Sequence, residues 1–128
     1  MRRHIMQFCW VTLNVNDMEK SLWFYRDIVG LPLNRTFSPA PGDQIAFLGS
    51  GETQVELIRN EKNAPTPFSQ NISLGFKVDS LEKTMELLKA NGVPVHAGPF
   101  QPNPSVRFFY VLDPNGLRVQ FVEDVKQG

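Results

Sequence analysis

Apolar and polar side chains alternate from Phe8 to Val15, with Cys9, Val11, Leu13 and Val15 on one face and Phe8, Trp10, Thr12 and Asn14 on the other. A period of two predicts a strand with one packed face and one face turned toward something else. By this parity Cys9 lies on the packed side, where a free cysteine is expected to serve packing rather than chemistry. From Met18 the period changes. Met18, Leu22, Tyr25 and Val29 recur at helical spacing, and the carboxylate of Asp17 is placed to accept the orphan amides of the first turn. Gly30, with Pro32 just beyond, supplies the left-handed stop. Strand-like runs follow around 31–37, 44–48 and 54–58. The order then returns: a strand near 73–78, a cap at Ser80, a stripe of Leu81, Met85 and Leu88, a stop at Asn91-Gly92, and strand-like runs around 93–96, 106–112 and 118–122.

The two halves match in sequence as well as in order. Moved forward by 63 positions, Trp10-Val-Thr-Leu-Asn-Val15 falls on Ser73-Leu-Gly-Phe-Lys-Val78, and Asp17-Met-Glu-Lys-Ser-Leu22 falls on Ser80-Leu-Glu-Lys-Thr-Met85. Val15, Glu19 and Lys20 recur as identities. At a shift of 64 positions, Phe47 to Leu57 lies on Val111 to Phe121. The chain is therefore a duplicated strand-helix-strand-strand-strand unit with a one-residue length change, and equivalent positions of the halves can be compared as candidate site residues.

Polar residues with Pro65 and Pro67 mark 59–71 as a linker between a first module at about 5–58 and a second at about 72–125, within one domain spanning 1–128. Ser38 to Asp43 and Gly98 to Pro104 are rich in Pro and Gly and are expected to be mouth loops. Gly49-Ser-Gly-Glu52 and Asp113-Pro-Asn-Gly116 have the composition of hairpin turns. Thirteen basic side chains balance thirteen acidic ones, without a basic run, so the electrostatic footprint of a nucleic-acid binder is missing. No apolar stretch approaches the roughly 18 residues of a membrane-spanning helix, and the single cysteine cannot pair within the chain. A cytoplasmic protein is expected. At this length about two thirds of the unfolded surface can be buried, enough for a core without staples.

Phe24-Tyr-Arg-Asp-Ile-Val-Gly-Leu31 after a strand and a capped helix, together with Asp113-Pro-Asn-Gly116 leading into Val119 to Glu123, resembles the vicinal oxygen chelate superfamily. That group includes glyoxalase I, bleomycin-resistance proteins and extradiol dioxygenases. The likeness runs from about Gln7 to Glu123 and implies an α+β fold of two tandem βαβββ modules, their curled mixed sheets forming a cleft with the helices outside. It also implies a homodimer.

Metal-dependent members of the superfamily place a His on the first strand and a Glu on the last strand of each half. On this chain the resemblance maps those places to Trp10 and Ser73, and to Glu56 and Gln120. Imidazole and carboxylate suit divalent ions, whereas Ser and Gln oxygens are weak ligands and an indole only donates. Loss of a mere supporting partner of a ligand costs about 10-fold to 100-fold in metal affinity, so losing two imidazoles and a carboxylate predicts a metal-free cleft. If zinc, nickel or iron binds nonetheless, Glu56 and Gln120 are the candidate ligands. His4 and His96 are expected to be an N-terminal and a surface histidine.

Strand parity with Trp10 and Glu56 adds Phe8, Thr12, Asn14, Gln54, Ser73, Lys77, Arg118 and Gln120 to the candidate ligand-binding face. Phe100, in the Gly98 to Pro104 stretch, is a candidate lid aromatic, and Phe37, Phe108, Phe109 and Tyr110 lie on strands of the same scheme. Glu56 has two readings: a carboxylate paired with Lys77 or Arg118, or a general base acting beside a carbonyl. Trp10 offers a flat surface for a planar ligand. Three functions stay open: a metal-free protein that binds or sequesters a small molecule, a glyoxalase-like lyase or isomerase using Glu56 as catalytic residue, and a non-catalytic accessory domain. The Glu19-Lys20 and Glu82-Lys83 pairs are expected to be solvated surface.

Overall fold

The computed structural model describes residues 6–51, 53–62, 67–68 and 71–125. His4, Glu52, Pro65 and much of the expected linker lie outside the described residues. The chain divides into two compact units, Met1–Thr66 and Pro67–Gly128. Both are α+β, and together they are the two tandem βαβββ modules that the repeat predicts.

In the first unit, β1 (Trp10–Asn14) leads into α1 (Met18–Leu22), whose path continues through π-helical turns over Trp23–Ile28. Three strands follow, β2 (Leu33–Phe37), β3 (Asp43–Leu48) and β4 (Gln54–Asn60). The sheet order is β1-β4-β3-β2, with β1 parallel to β4 and the other pairs antiparallel. Asp17 caps the helix by accepting the amide of Lys20 at 3.0 Å, and Gly30 adopts φ +91°, which a side chain would resist. The buried helix residues are Met18, Ser21, Phe24, Tyr25 and Ile28, so the stripe departs by one residue from the expected Leu22 and Val29. The turns are wider there: the amide of Val29 reaches back five residues to the carbonyl of Phe24 at 2.9 Å. Leu13, Ala46, Leu48, Val55 and Leu57 form the buried face of the sheet beneath this helix. Fully burying each Leu there is worth about 1.5–3 kcal/mol.

The second unit contains β5 (Ser73–Lys77), α2 (Leu81–Ala90), β6 (Ala97–Asn103), β7 (Val106–Leu112) and β8 (Arg118–Asp124), in sheet order β5-β8-β7-β6. Ser80 accepts the amide of Lys83 at 3.2 Å, as predicted, and Leu81 and Leu88 are buried with Phe109, Val111, Val119 and Phe121. Asp113 organises the last turn, its Oδ1 accepting the amides of Asn115 and Leu117 at 2.8 and 2.9 Å.

Three expectations are corrected. The sixth strand is Ala97–Asn103 rather than 93–96, and the expected mouth loop Gly98 to Pro104 falls mostly within it. Pro99 and Pro102 read as loop in the sequence, but β6 is an edge strand that meets β7 only at Ala97↔Tyr110, Phe100↔Phe108 and Asn103↔Val106, with register breaks between them. An edge strand with broken pairing tolerates residues that have no amide to give. Cys9 is exposed rather than buried, because the ladder begins at Trp10 and parity does not extend beyond it. The alignment of the halves also shifts by one residue in β3. Phe47 pairs with Glu56 and Tyr110 with Gln120, while Leu48 pairs with Val55 and Val111 with Val119. Phe47 is therefore the counterpart of Tyr110, not of Val111, and the extra residue lies in the second hairpin turn. Among the described residues no helix is long and apolar enough to cross a membrane.

Candidate functional site: the open sheet faces

Each sheet buries one face under its helix and leaves a second, mixed face whose residues the register sets out in rows. In the first unit one row crosses all four strands: Arg35 on β2, Phe47 on β3, Glu56 on β4 and Thr12 on β1. The Thr12 hydroxyl donates to Oε1 of Glu56 at 2.5 Å, and Glu56 is 9% exposed. A nearly buried carboxylate needs such a donor, and this one comes from the neighbouring parallel strand. Phe47 is buried in the middle of the row. The edge of Trp10 packs against it with ring centres 5.2 Å apart, and Phe37 lies parallel to it at 6.3 Å. The Arg35 guanidinium sits over the same ring at 4.3 Å. Trp10 and Phe37 keep 45% of their surface exposed, so the face presents an aromatic wall beside a carboxylate and a cation.

The expected partners of Glu56 are engaged in their own unit. Lys77 pairs with Asp124 at 2.9 Å, and hydrogen bonding to that carboxylate, then its charge, raises the Lys77 pKa. Both groups are solvent-exposed, so the pair contributes little to stability. Arg118 stacks over Tyr110 at 4.1 Å with its Nε buried and without a hydrogen bond among the described residues. Gln120 donates from Nε2 to the Tyr110 hydroxyl at 3.2 Å.

Of the remaining expected residues, Asn14 and Gln54 lie on the face of Trp10 and Glu56, and Gln54 accepts the side-chain amide of Asn34 at 3.0 Å. Phe8 is exposed ahead of β1, its carbonyl accepting the Thr53 hydroxyl at 3.2 Å. Ser73 is exposed and pairs in register with Arg118. Phe100 is no loop residue; its ring stands 5.5 Å from that of Phe108 across the β6–β7 ladder. His96 is exposed, with its amide bonded to the carbonyl of Tyr110 at 2.7 Å. Glu82, expected to be solvated surface, is exposed and pairs there with Arg107 at 2.6 Å. Sequence reasoning missed Arg35 and Phe47. The period-two spacing of Arg35 and Phe37 was the available signal, hidden because the ladder slips between Leu33 and Arg35.

The donor set of these faces does not suit the divalent ion of metal-dependent relatives. The first unit offers one carboxylate, already hydrogen-bonded, beside an indole that has no lone pair to give. The second offers a serine hydroxyl and an amide turned to Tyr110. Among the described residues no three His, Cys, Asp or Glu side chains are grouped to hold a metal.

A duplicated βαβββ chain with one mixed sheet in each half defines a class, and residues 4–121 match the family model of the Glyoxalase/Bleomycin resistance protein/Dioxygenase superfamily. The chain belongs to that superfamily. It is 34% identical to a lactoylglutathione lyase of Haemophilus influenzae over 129 aligned positions, covering 93% of each chain. Among solved structures, it superposes on Leishmania major glyoxalase I with a TM-score of 0.79 at 18% identity, covering 93% of this chain and 87% of that one. It superposes on TnmS3, an antibiotic binding protein from Streptomyces sp. CB03234, with a TM-score of 0.76 at 22% identity, covering 97% of this chain and 100% of that one.

Proposed function

We propose that this protein is a metal-free small-molecule binder, acting by sequestration, that holds a planar ligand on the open face of its first sheet. The observation that carries the reading is the use of the place that the family resemblance gives to a ligand histidine. Trp10 stands there, braced edge-on by Phe47 and still half-exposed, which makes a preformed wall for a flat ligand. Glu56 and Thr12 provide a polar group next to it. The fold does not decide between binding and catalysis, since its solved examples include both a glyoxalase I and an antibiotic binding protein.

A second reading is a metal-dependent lyase or isomerase like the Haemophilus influenzae relative. It is favoured by that relative's 34% identity and by the retained Glu56 carboxylate. It is opposed by the donor chemistry of the other three places.

A thermal-shift screen of planar aromatic and carbonyl compounds tests the first reading. A true ligand at a hundredfold excess over its dissociation constant stabilises the protein by about 2.7 kcal/mol. Trp10→Ala is expected to abolish that shift. A screen in which no planar compound raises the melting temperature, or a shift that survives Trp10→Ala, contradicts it.

A further inference from the structure

The arginines among the described residues fall into two kinds. Arg26 pairs with Asp27, Arg107 pairs with Glu82 and Glu123, and Arg59 donates to the carbonyls of Asn16 and Asn60. Arg35 and Arg118 do none of this: Arg118 stacks over Tyr110 with its Nε buried, while Arg35, which is exposed, has no ion pair and no hydrogen bond among the described residues, and its contacts are with rings, Phe47 at 4.3 Å and Phe37 at 5.7 Å. Stacking occupies the flat face of a guanidinium and leaves its N–H edge, a fork matched to a carboxylate, without an acceptor. The ring contacts hold the guanidinium in place before an anion arrives, which offsets part of the entropic cost of binding one there.

The row gives the bound anion a direction. Arg35 and Glu56 stand on either side of Phe47, two strands apart, hence roughly 10 Å between backbones. A negative group is attracted at the Arg35 end and repelled at the Glu56 end. A ligand lying on this face therefore places its charge toward β2 and its uncharged part toward β4 and β1. The exposed rings of Trp10 and Phe37 suit a flat apolar body.

We infer that this face selects planar aromatic acids, with Arg35 binding the carboxylate and Trp10 and Phe37 flanking the ring system. The inference rests on the reading of the face as a binding site and adds the charge of its ligand. Calorimetric titration with 2-naphthoate and with 2-naphthamide, its uncharged near-isostere, separates the two. Charge-assisted hydrogen bonds predict that naphthoate binds about tenfold to a hundredfold tighter. Arg35→Gln should remove the difference between the two probes, naphthoate falling by about tenfold to a hundredfold and naphthamide by far less, with an unchanged urea midpoint reporting that the face remains folded. Arg35→Lys should keep only part of the preference, because a point charge lacks the fork.

Equal affinities in the wild-type protein would overturn the anion selectivity and leave the binding face standing. A naphthoate preference that persists in Arg35→Gln would overturn the role of Arg35. If neither probe binds, both the selectivity and the reading beneath it fall.

Discussion

The two open faces hold equivalent places in the repeat and fill them with different chemistry. In the first sheet the row reads Arg35, Phe47, Glu56, Thr12; in the second it reads Ala97, Tyr110, Gln120, Gly75. Each change has its complement. Where the carboxylate is kept, a hydroxyl on the neighbouring strand satisfies it. Where it is replaced by an amide, the neighbour is Gly75, which has no side chain to donate, and the amide donates from Nε2 to the Tyr110 hydroxyl on the other neighbouring strand. The helix-facing sides differ far less, since both are continuous apolar layers. Duplication thus preserved the packing, while the exposed chemistry diverged as coupled pairs rather than as single residues.

The largest effects should show the symmetry of the packed side. Leu57 and Phe121 are counterparts, fully and almost fully buried. Leu57→Ala is expected to cost about 2–5 kcal/mol and Phe121→Ala about 3–5 kcal/mol in urea denaturation. A loss confined to one of them would break the equivalence of the two cores.

The asymmetry of the open side should appear next, in ligand affinity. Trp10→Ala is expected to weaken a planar ligand by at least about a hundredfold, as truncation of a central aromatic anchor does. Tyr110→Phe, which removes the acceptor for Gln120 in the second row, should leave that affinity unchanged in the same titration.

A smaller effect concerns the Thr12–Glu56 pair. A double-mutant cycle with Thr12→Val and Glu56→Gln should return a coupling of about 1.5–3 kcal/mol, the range of a hydrogen bond to a charged group. A coupling near zero would mean that the carboxylate is satisfied without Thr12.

The smallest effect lies outside both rows. The hydrogen bond from Arg107, first among the causes, lowers the Glu82 pKa below its ordinary value. The native state therefore holds this carboxylate ionised to lower pH than the unfolded chain does. Its contribution is present above the ordinary carboxylate range and is lost as pH falls through the lowered native value. In an NMR titration Arg107→Gln should move the Glu82 midpoint upward; an unmoved midpoint would remove Arg107 as the cause.

Much of this could be read from the chain. Asp17 and Ser80 announce helix starts, Gly30 and Gly92 announce stops, and alternation along β1 places Trp10, Thr12 and Asn14 together because a regular strand transmits parity. The reading fails where regularity fails. Cys9 lies before the ladder begins, the π-helical turns move the buried stripe to Ile28, and Pro99 and Pro102 disguise an edge strand. The same cause hid Arg35 and Phe47. Their pairing depends on a slip in β2 and on which hairpin turn carries the extra residue, and neither is fixed by local pattern. The Thr12–Glu56 bond was half legible, since parity put both on one face while their register required the sheet.

The central claim is that Trp10 and the lack of a ligand residue at three of the four metal-binding places of the superfamily suit this member to binding rather than metal chemistry. Elemental analysis of protein purified without chelator, before and after Glu56→Ala, tests it most directly. Zinc, nickel and iron are predicted to be far below one per chain and unaffected by the substitution. Near-stoichiometric metal that disappears with Glu56→Ala would contradict it.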